Sequence, residues 1–221
     1  MKDKEKLLEG LPFWKDLSPE QREYAESSSF FHHYDKGDII QNSLYSCMGL
    51  IILISGEVRT YILSEEGREI TLYRLYSGAV CVLSATCVIN QITFETEIAA
   101  VTDCEVLVVS AGAFSQLCRN NIYVRCFMYE TLTERFSDVM WSMQQILFKG
   151  FDRRLAAFFV EEFDRTGSKE ICMTHEEIAR NTSSAREVVA RMLKRFSGEG
   201  LVSISRGRIT LTDIDALRQM Q

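Results

Sequence analysis

The sequence predicts an α+β fold: an N-terminal antiparallel β-roll, a long connecting helix and a C-terminal helix-turn-helix with a two-stranded wing. Three observations predict it. Between Phe30 and Val109, short β-branched and aromatic runs are separated by turn signals. From Ile122 to Leu147, apolar residues recur in alternating four- and three-residue steps. After Met173, a capped helix, a polar turn, an arginine-rich helix and a tight hairpin follow one another.

The roll is preceded by residues 1–25, which read as helical, with Phe13-Trp14 and Leu17 as apolar anchors and Ser18-Pro19-Glu20 as a helix start. Its strands are read at Ile39-Ile40, Gly49–Ser55, Val58–Leu63, Glu69–Leu75, Phe94–Ala99 and Glu105–Val109. Turn chemistry lies between them at Lys36-Gly37-Asp38, Ser55-Gly56-Glu57, Glu65-Glu66-Gly67, Ser77-Gly78 and Thr102-Asp103. Many short strands at regular spacing are the pattern of a barrel, roll or sandwich.

In the long helix, Ile122, Cys126, Tyr129, Thr133, Phe136, Met140, Met143 and Leu147 form an a/d seam with one polar member, Thr133. Phe127, Met128, Leu132, Val139, Trp141 and Ile146 add apolar surface on the flanking faces, more than one partner needs. The helix is therefore expected to pack on its own β domain and, through the eight seam residues, on a second copy. Lys149-Gly150-Phe151-Asp152 ends it, with Gly150 as a hinge, and Arg153–Asp164 is a further amphipathic helix. The expected domains are a sensor roll over 1–119, a dimerisation helix over 120–149 and a DNA-binding domain over 150–221.

Charge is divided unevenly. The chain carries −6 overall, yet residues 1–149 hold 13 Lys/Arg against 20 Asp/Glu, while residues 150–221 hold 12 against 11. Within 180–208, Arg180, Arg186, Arg191, Lys194, Arg195, Arg206 and Arg208 face only Glu187 and Glu199. Such a patch suits a phosphate backbone; on charge alone a solvated helix face explains it as well. The motif decides between them. Thr174 at an N-cap with Glu177 three residues on is a capping box. Asn181–Ser184 is a turn, and Ala185–Phe196 a second helix with Val188 or Val189, Met192, Leu193 and Phe196 as its buried face. Ser197-Gly-Glu-Gly200 closes it, and Leu201–Ile204, Ser205-Arg-Gly-Arg208 and Ile209–Leu211 make the wing. Arg186 and Glu187 fall in the first turn of that helix, where side chains reach base edges in a major groove. An arginine bonds guanine O6 and N7 together, and a glutamate accepts from cytosine N4. Arg191 reaches a base or a phosphate, and Arg206 and Arg208 suit the backbone. With Thr174, Ser184 and Ala185 at the turn, these are the expected DNA contacts.

These residues carry a family resemblance. Thr174-His-Glu-Glu177-Ile178-Ala179 and Ala185-Arg186-Glu187-Val188-Val189-Ala190-Arg191-Met192-Leu193 resemble the helix-turn-helix pattern of the cyclic-AMP receptor protein / fumarate–nitrate regulator (CRP/FNR) family. Tyr34-Asp-Lys-Gly37-Asp38, Ile54-Ser-Gly56-Glu-Val-Arg59, Glu66-Gly67-Arg68-Glu69 and Leu75-Tyr-Ser-Gly78 resemble its cyclic-nucleotide-binding-like jelly roll. The resemblance implies a homodimer on a palindromic operator of double-stranded DNA, with Arg186, Glu187 and Arg191 as the base-reading triplet and RNA polymerase as a further partner. Two positions depart from the pattern: Ala185 replaces the serine before the arginine, and Ser183 stands at the turn glycine.

The sensor segment departs further. The family's cyclic-nucleotide pocket uses a Gly-Glu, a glutamate for the ribose and an Arg-Ser pair for the phosphate. Here Leu83 stands at the ribose glutamate, and Phe94-Glu95 at the Arg-Ser pair. A phosphodiester without that cation is a desolvated, unpaired charge, so cyclic AMP is not expected. No iron–sulfur cluster is expected, since the first cysteine is Cys47, and no haem, since His32 and His33 read as a surface strand and His175 belongs to the DNA-reading end. The seven cysteines show no Cys-x-x-Cys spacing and read as reduced core residues. Cys81 and Cys87 flank the old nucleotide segment and read either as a thiol sensor or as pocket wall. The expected effector is small and mostly uncharged or apolar, with Cys81, Leu83, Cys87, Phe94, Tyr129 and Phe136 as pocket candidates.

No apolar run approaches the ~18 residues of a membrane helix, and Met1–Lys6 lacks the core of a signal peptide, so no membrane partner and a cytoplasmic location are expected. A β-roll binding module without a DNA role is opposed by the arginine-rich helix and wing. A cupin-like enzyme is opposed by the lack of a clustered His/Glu set.

Overall fold

Lys4–Glu9 form α1 and Pro19–Ser27 form α2, with a 3-10 turn at Trp14–Asp16 between them. Helix α2 begins at the expected signal. The Ser18 side chain accepts from the Gln21 N–H, the Gln21 side chain accepts from the Ser18 N–H, and Pro19 fills the first turn. This computed structural model describes residues 4–41, 47–64, 67, 69–88 and 96–220, with the backbone alone for 86–88.

The roll comprises β1 (Ser29–Tyr34), β2 (Ile39–Gln41), β3 (Gly49–Ser55), β4 (Glu57–Leu63), β5 (Glu69–Tyr76), β6 (Val80–Cys81), β7 (Glu97–Ala100) and β8 (Cys104–Ser110), with a 3-10 helix at Leu83–Val88. They form two four-stranded sheets, ordered β1-β8-β3-β6 and β2-β7-β4-β5. Strand β8 lies antiparallel to both neighbours, Leu107 opposite Phe31 on β1 and opposite Ile52 on β3. Both faces of β3 and β8 are covered. Ile51, Leu53, Val106 and Val108 fill the roll interior, while Leu50, Ile52, Leu107 and Val109 meet a layer of helices. Double burial is why Leu50–Leu53 is a continuous apolar run instead of an alternating one. Gly49 has φ +119, and a Cβ there would lie 2.0 Å from the Val109 carbonyl oxygen, so the β3–β8 contact requires glycine.

Two strands escaped the sequence pattern. Strand β1 exposes Phe30, Phe31, His32 and His33 in succession, which erases the period of two, and β6 is only two residues long. The expectation that all cysteines are reduced is also corrected. Cys47 is disulfide-bonded, whereas Cys81, Cys104, Cys118, Cys126 and Cys172 are free thiols.

Ala111–Asn120 form α3, and Ile122–Phe148 form α4, one continuous helix of 27 residues. On α4, Val124 and Met128 are buried with Leu8, Trp14, Phe114 and Leu117 in the helical layer, and Leu132 and Val139 pack against the roll interior.

Past Gly150, the N-cap of the next helix, the chain forms α5 (Phe151–Thr166), β9 (Glu170–Ile171), α6 (His175–Asn181), α7 (Arg186–Gly198), β10 (Val202–Ser205), β11 (Arg208–Leu211) and α8 (Ile214–Gln219). Its core joins Leu155, Phe159, Ile178, Val189, Leu193, Phe196, Ile209 and Leu217, and its sheet is ordered β10-β11-β9. The chain divides into two compact units, Met1–Ile62 with Leu72–Val139 and Leu63–Thr71 with Met140–Gln221. No described helix is long and apolar enough to cross a membrane.

Candidate nucleic-acid interface

Helix α6 starts at Thr174, whose hydroxyl oxygen accepts from the Glu177 N–H at 3.1 Å while the Glu177 carboxylate accepts from the Thr174 N–H at 2.7 Å. The turn after α6 is closed by the Ser184 N–H donating to the Ala179 carbonyl at 2.9 Å. Ser183 takes φ +50, the glycine-like conformation its place in the turn demands. Ala185 is the N-cap of α7 and makes no side-chain cap bond. The first N–H groups of α7 are thus left without a side-chain partner at an end that favours anions.

Helix α7 buries Val189, Leu193 and Phe196. That orientation leaves Arg186, Glu187, Arg191 and Lys194 exposed, with Glu187, Arg191 and Lys194 in the i, i+4, i+7 relation of one helix face. The cations of the patch separate into two groups. Arg195 is held by Glu199 at 2.7 Å, Arg208 by Glu170 at 3.0 Å, and Arg180 lies 3.9 Å from Glu176. Arg186, Arg191, Lys194 and Arg206 make no ion pair among the described residues. Arg206 stands at the tip of the β10–β11 hairpin, beside Gly207 at φ +72. Of the expected contacts, Ala185, Arg186, Glu187 and Arg191 share the start and outer face of α7, and Thr174 and Ser184 adjoin them through the turn. Arg208 alone is engaged elsewhere, by a surface ion pair of the kind worth about 0–1 kcal/mol. Lys194, one turn beyond Arg191, joins the face without being singled out by the sequence motif.

All eight seam residues of α4 are exposed to some degree: Ile122, Cys126, Tyr129, Thr133, Phe136, Met140, Met143 and Leu147. Thr133, the polar member, donates its hydroxyl to the Tyr129 carbonyl at 2.8 Å and so carries no unsatisfied donor into an apolar seam.

Cys81 and Leu83 are buried in the roll interior. Burial pushes the Cys81 thiol up from its ordinary range, which keeps it protonated and a poor nucleophile. The side chain of Cys87, and Phe94 with Glu66, Arg68 and Glu95, lie outside the described residues. Tyr129 and Phe136 are 50% and 63% exposed. They belong to the seam, and a helix turns its seam and its core face in different directions. The roll-facing side of α4 carries Leu132, Arg135 and Val139 instead.

Arg135 is the residue that the sequence of the roll segment does not reveal. Its Nη1 donates to Asp138 at 2.6 Å, and its guanidinium carbon lies 5.4 Å from the centroid of the Tyr73 ring. Arg135 Nε is buried without a hydrogen bond among the described residues, and the Tyr73 and Thr60 hydroxyls lie close to one another. Burial, then the Cys81 thiol, pushes the Tyr73 hydroxyl far above its usual range, and the nearby Thr60 hydroxyl and Arg135 offset this only in part. The available signal was spacing: an arginine three residues after Leu132 and four before Val139 sits on the apolar face that meets the roll.

Comparison with known proteins gives the frame for this geometry. The Crp-like helix-turn-helix domain family matches residues 153–220, and the Cyclic nucleotide-binding domain family matches residues 31–121. The crystal structure of a protein from Eubacterium rectale ATCC 33656, assigned to the crp/fnr family of transcriptional regulators, is 42% identical, covering 96% of this chain and 99% of that one with a TM-score of 0.93. This chain belongs to the CRP/FNR family. It is a DNA-binding transcription regulator of that type and not an enzyme. More distant CRP/FNR relatives include the Cyclic AMP receptor protein of Thermus thermophilus, 22% identical over 96% of this chain and 98% of that protein. The fold is shared with the c-di-GMP responsive global regulator CLP of Xanthomonas campestris, at 18% identity and a TM-score of 0.71 over 89% of this chain and 100% of that one. Within the CRP/FNR frame, α7 is the second helix of the helix-turn-helix and β10–β11 the wing.

Proposed function

We propose that this CRP/FNR regulator acts as a homodimer that binds a palindromic operator under the control of a small-molecule or redox effector. The observation that carries the reading is the pairing of two exposed features: cations on α7 without an ion pair among the described residues, and an apolar seam exposed along α4. Six large apolar side chains of the seam, Ile122, Tyr129, Phe136, Met140, Met143 and Leu147, are left exposed, which is costly, since burying one large apolar group contributes roughly 1.5–3 kcal/mol. A second α4 in two-fold symmetry covers them. The two α7 helices then read two half-sites, with Arg186, Glu187 and Arg191 on base edges and Thr174, Ser184, Ala185, Lys194, Arg206 and Arg208 toward the phosphates. Arg208 exchanges Glu170 for a phosphate at small cost.

The effector is a ligand other than cyclic AMP, because Leu83 stands at the family's ribose carboxylate, and neither an iron–sulfur cluster nor haem is invoked. A buried Arg135 Nε without a hydrogen bond among the described residues favours an effector with an acceptor oxygen. The protein works in the cytoplasm, where RNA polymerase is a further partner.

Selection of bound duplexes from a random pool tests the reading, beside an Arg186→Ala/Glu187→Ala variant and a Phe136→Glu variant. The expected product is a palindrome with half-site centres about 34–36 Å apart, lost in the first variant. The second variant is expected to sediment as a monomer and to lose affinity for the full site. A selected sequence without two-fold symmetry, or an unaltered sedimentation coefficient for Phe136→Glu, sinks the dimeric reading.

A further inference from the structure

A cleft of about 90 Å3 opens within the second compact unit, with Thr71, Trp141, Gln145, Arg154, Phe158 and Ser183 in its lining. It holds two buried polar atoms of opposite kind. Arg154 Nε, a donor, and Gln145 Oε1, an acceptor, have no hydrogen-bond partner among the described residues. Leaving both so is costly, and a molecule that offers an acceptor and a donor together removes the cost.

Arg154 asks for more than an acceptor. Its Nη1 donates to the carbonyls of Ile146 at 3.3 Å and Lys149 at 3.2 Å, at the end of α4. Those neutral groups satisfy hydrogens without cancelling the charge, and Arg154 makes no ion pair among the described residues. Burial pulls the guanidinium below its ordinary range, the direction expected of a cation short of water and of a counter-ion. With Nη1 engaged, the Nε edge suits a carboxylate, which an arginine takes with two parallel bonds. Glu161, the other charged lining residue, lies about two turns along α5 and has interactions of its own. Trp141 and Phe158 supply apolar wall for a short carbon chain. One water needs roughly 10–15 Å3 of such space, so the cleft takes a molecule of about six to nine heavy atoms. The lining also includes the strained turn before α7. Ser183 stands there at φ +50, and the Thr71 hydroxyl donates to the Arg180 carbonyl at 2.8 Å.

We propose that this cleft binds a short-chain 2-hydroxy or 2-amino acid, its carboxylate on Arg154 Nε and its hydroxyl or ammonium on Gln145 Oε1, and that the bound acid braces the turn before α7. The site goes beyond the effector reading above, which concerns the roll, and uses none of the residues that reading names. A ligand bordered by α4, α5 and the turn stabilises only arrangements in which the three stay together, which slows opening of the turn.

The test titrates the full-length protein with L-lactate, L-alanine and propionate in a calorimeter, beside Gln145→Leu and Arg154→Lys. Propionate has the same carbon chain and carboxylate but no donor. Saturable binding of lactate is expected if the donor is a hydroxyl, and of alanine if it is an ammonium. Propionate and the Gln145→Leu protein are each expected to show binding about tenfold weaker, the loss of one buried hydrogen bond. Hydrogen exchange of the amides over 182–186 is expected to slow about tenfold at ten times the dissociation constant of the acid that binds. Absence of saturable heat from both lactate and alanine overturns the proposal, as does propionate binding as tightly as either. Unchanged affinity in Gln145→Leu, or unchanged exchange over 182–186, also overturns it. Arg154→Lys keeps the charge and loses the two-bond edge, so weaker binding is expected there too. Should that variant fail to fold, the propionate and Gln145→Leu arms still decide. No readout uses DNA, so failure here is separate from failure of the operator reading.

Discussion

Ser183 occupies the left-handed region at φ +50 in the turn between α6 and α7, where a side chain costs about 1–2 kcal/mol. Its neighbours explain why the strain persists: Thr182 and Ser184 are both tied back to α6 by backbone bonds to Ile178 and Ala179. Ser183→Gly is therefore expected to raise the unfolding free energy by about 1 kcal/mol, read as an increase in the denaturant midpoint at constant slope. An unchanged or lower midpoint means that the turn relaxes elsewhere. At this scale the sequence is legible where chemistry is local. The Thr174–Glu177 capping box, the Arg186/Glu187 pair and the strained turn position can all be named from residue order. Arg208 cannot be separated from Arg186 and Arg191 in this way, because Glu170 becomes its neighbour only after folding.

At the scale of elements, α4 shows how one helix divides its surface. Val124, Met128, Leu132 and Val139 face the chain's own core, and the seam from Ile122 to Leu147 faces away. Heptad spacing yields the exposed stripe directly, Tyr129 and Phe136 included. Arg135 escapes an apolar pattern, because a lone cation on an apolar face reads as noise until the strand opposite it is known. The seam also offers an internal probe. Cys126 and Cys172 are both exposed free thiols in the single chain. If α4 pairs with a second copy, Cys172 is expected to react with a maleimide at least about tenfold faster than Cys126, and Phe136→Glu to erase the difference. The factor follows from about 1.4 kcal/mol of protection at the interface. Equal rates in the unaltered protein count against pairing along this face.

At the scale of the whole molecule, the cations of α7 and the wing that make no ion pair among the described residues make the interaction with DNA countable. Each phosphate neutralised releases counter-ions and adds about 0.9 to the slope of log affinity against log salt. Arg206→Ala removes one such contact per protomer, so a dimer is expected to lose about 2 from that slope while keeping its sequence preference. Arg186→Ala is expected to relax the preference itself. A change of preference in Arg206→Ala, with the slope intact, places the wing on bases and not on the backbone.

The exposed α4 seam has a consequence for the cell that makes this protein. When pairing is required for occupancy, the population able to fill an operator follows the square of the protomer concentration below the pairing constant. Halving the amount of protein then removes about three-quarters of the active species. Regulation by abundance, through synthesis, degradation or partition at division, is thus steeper than any single-chain binder achieves. Where α4 pairs in this way, a residue such as Met140 or Leu147 is expected to tune that steepness without touching the nucleic acid.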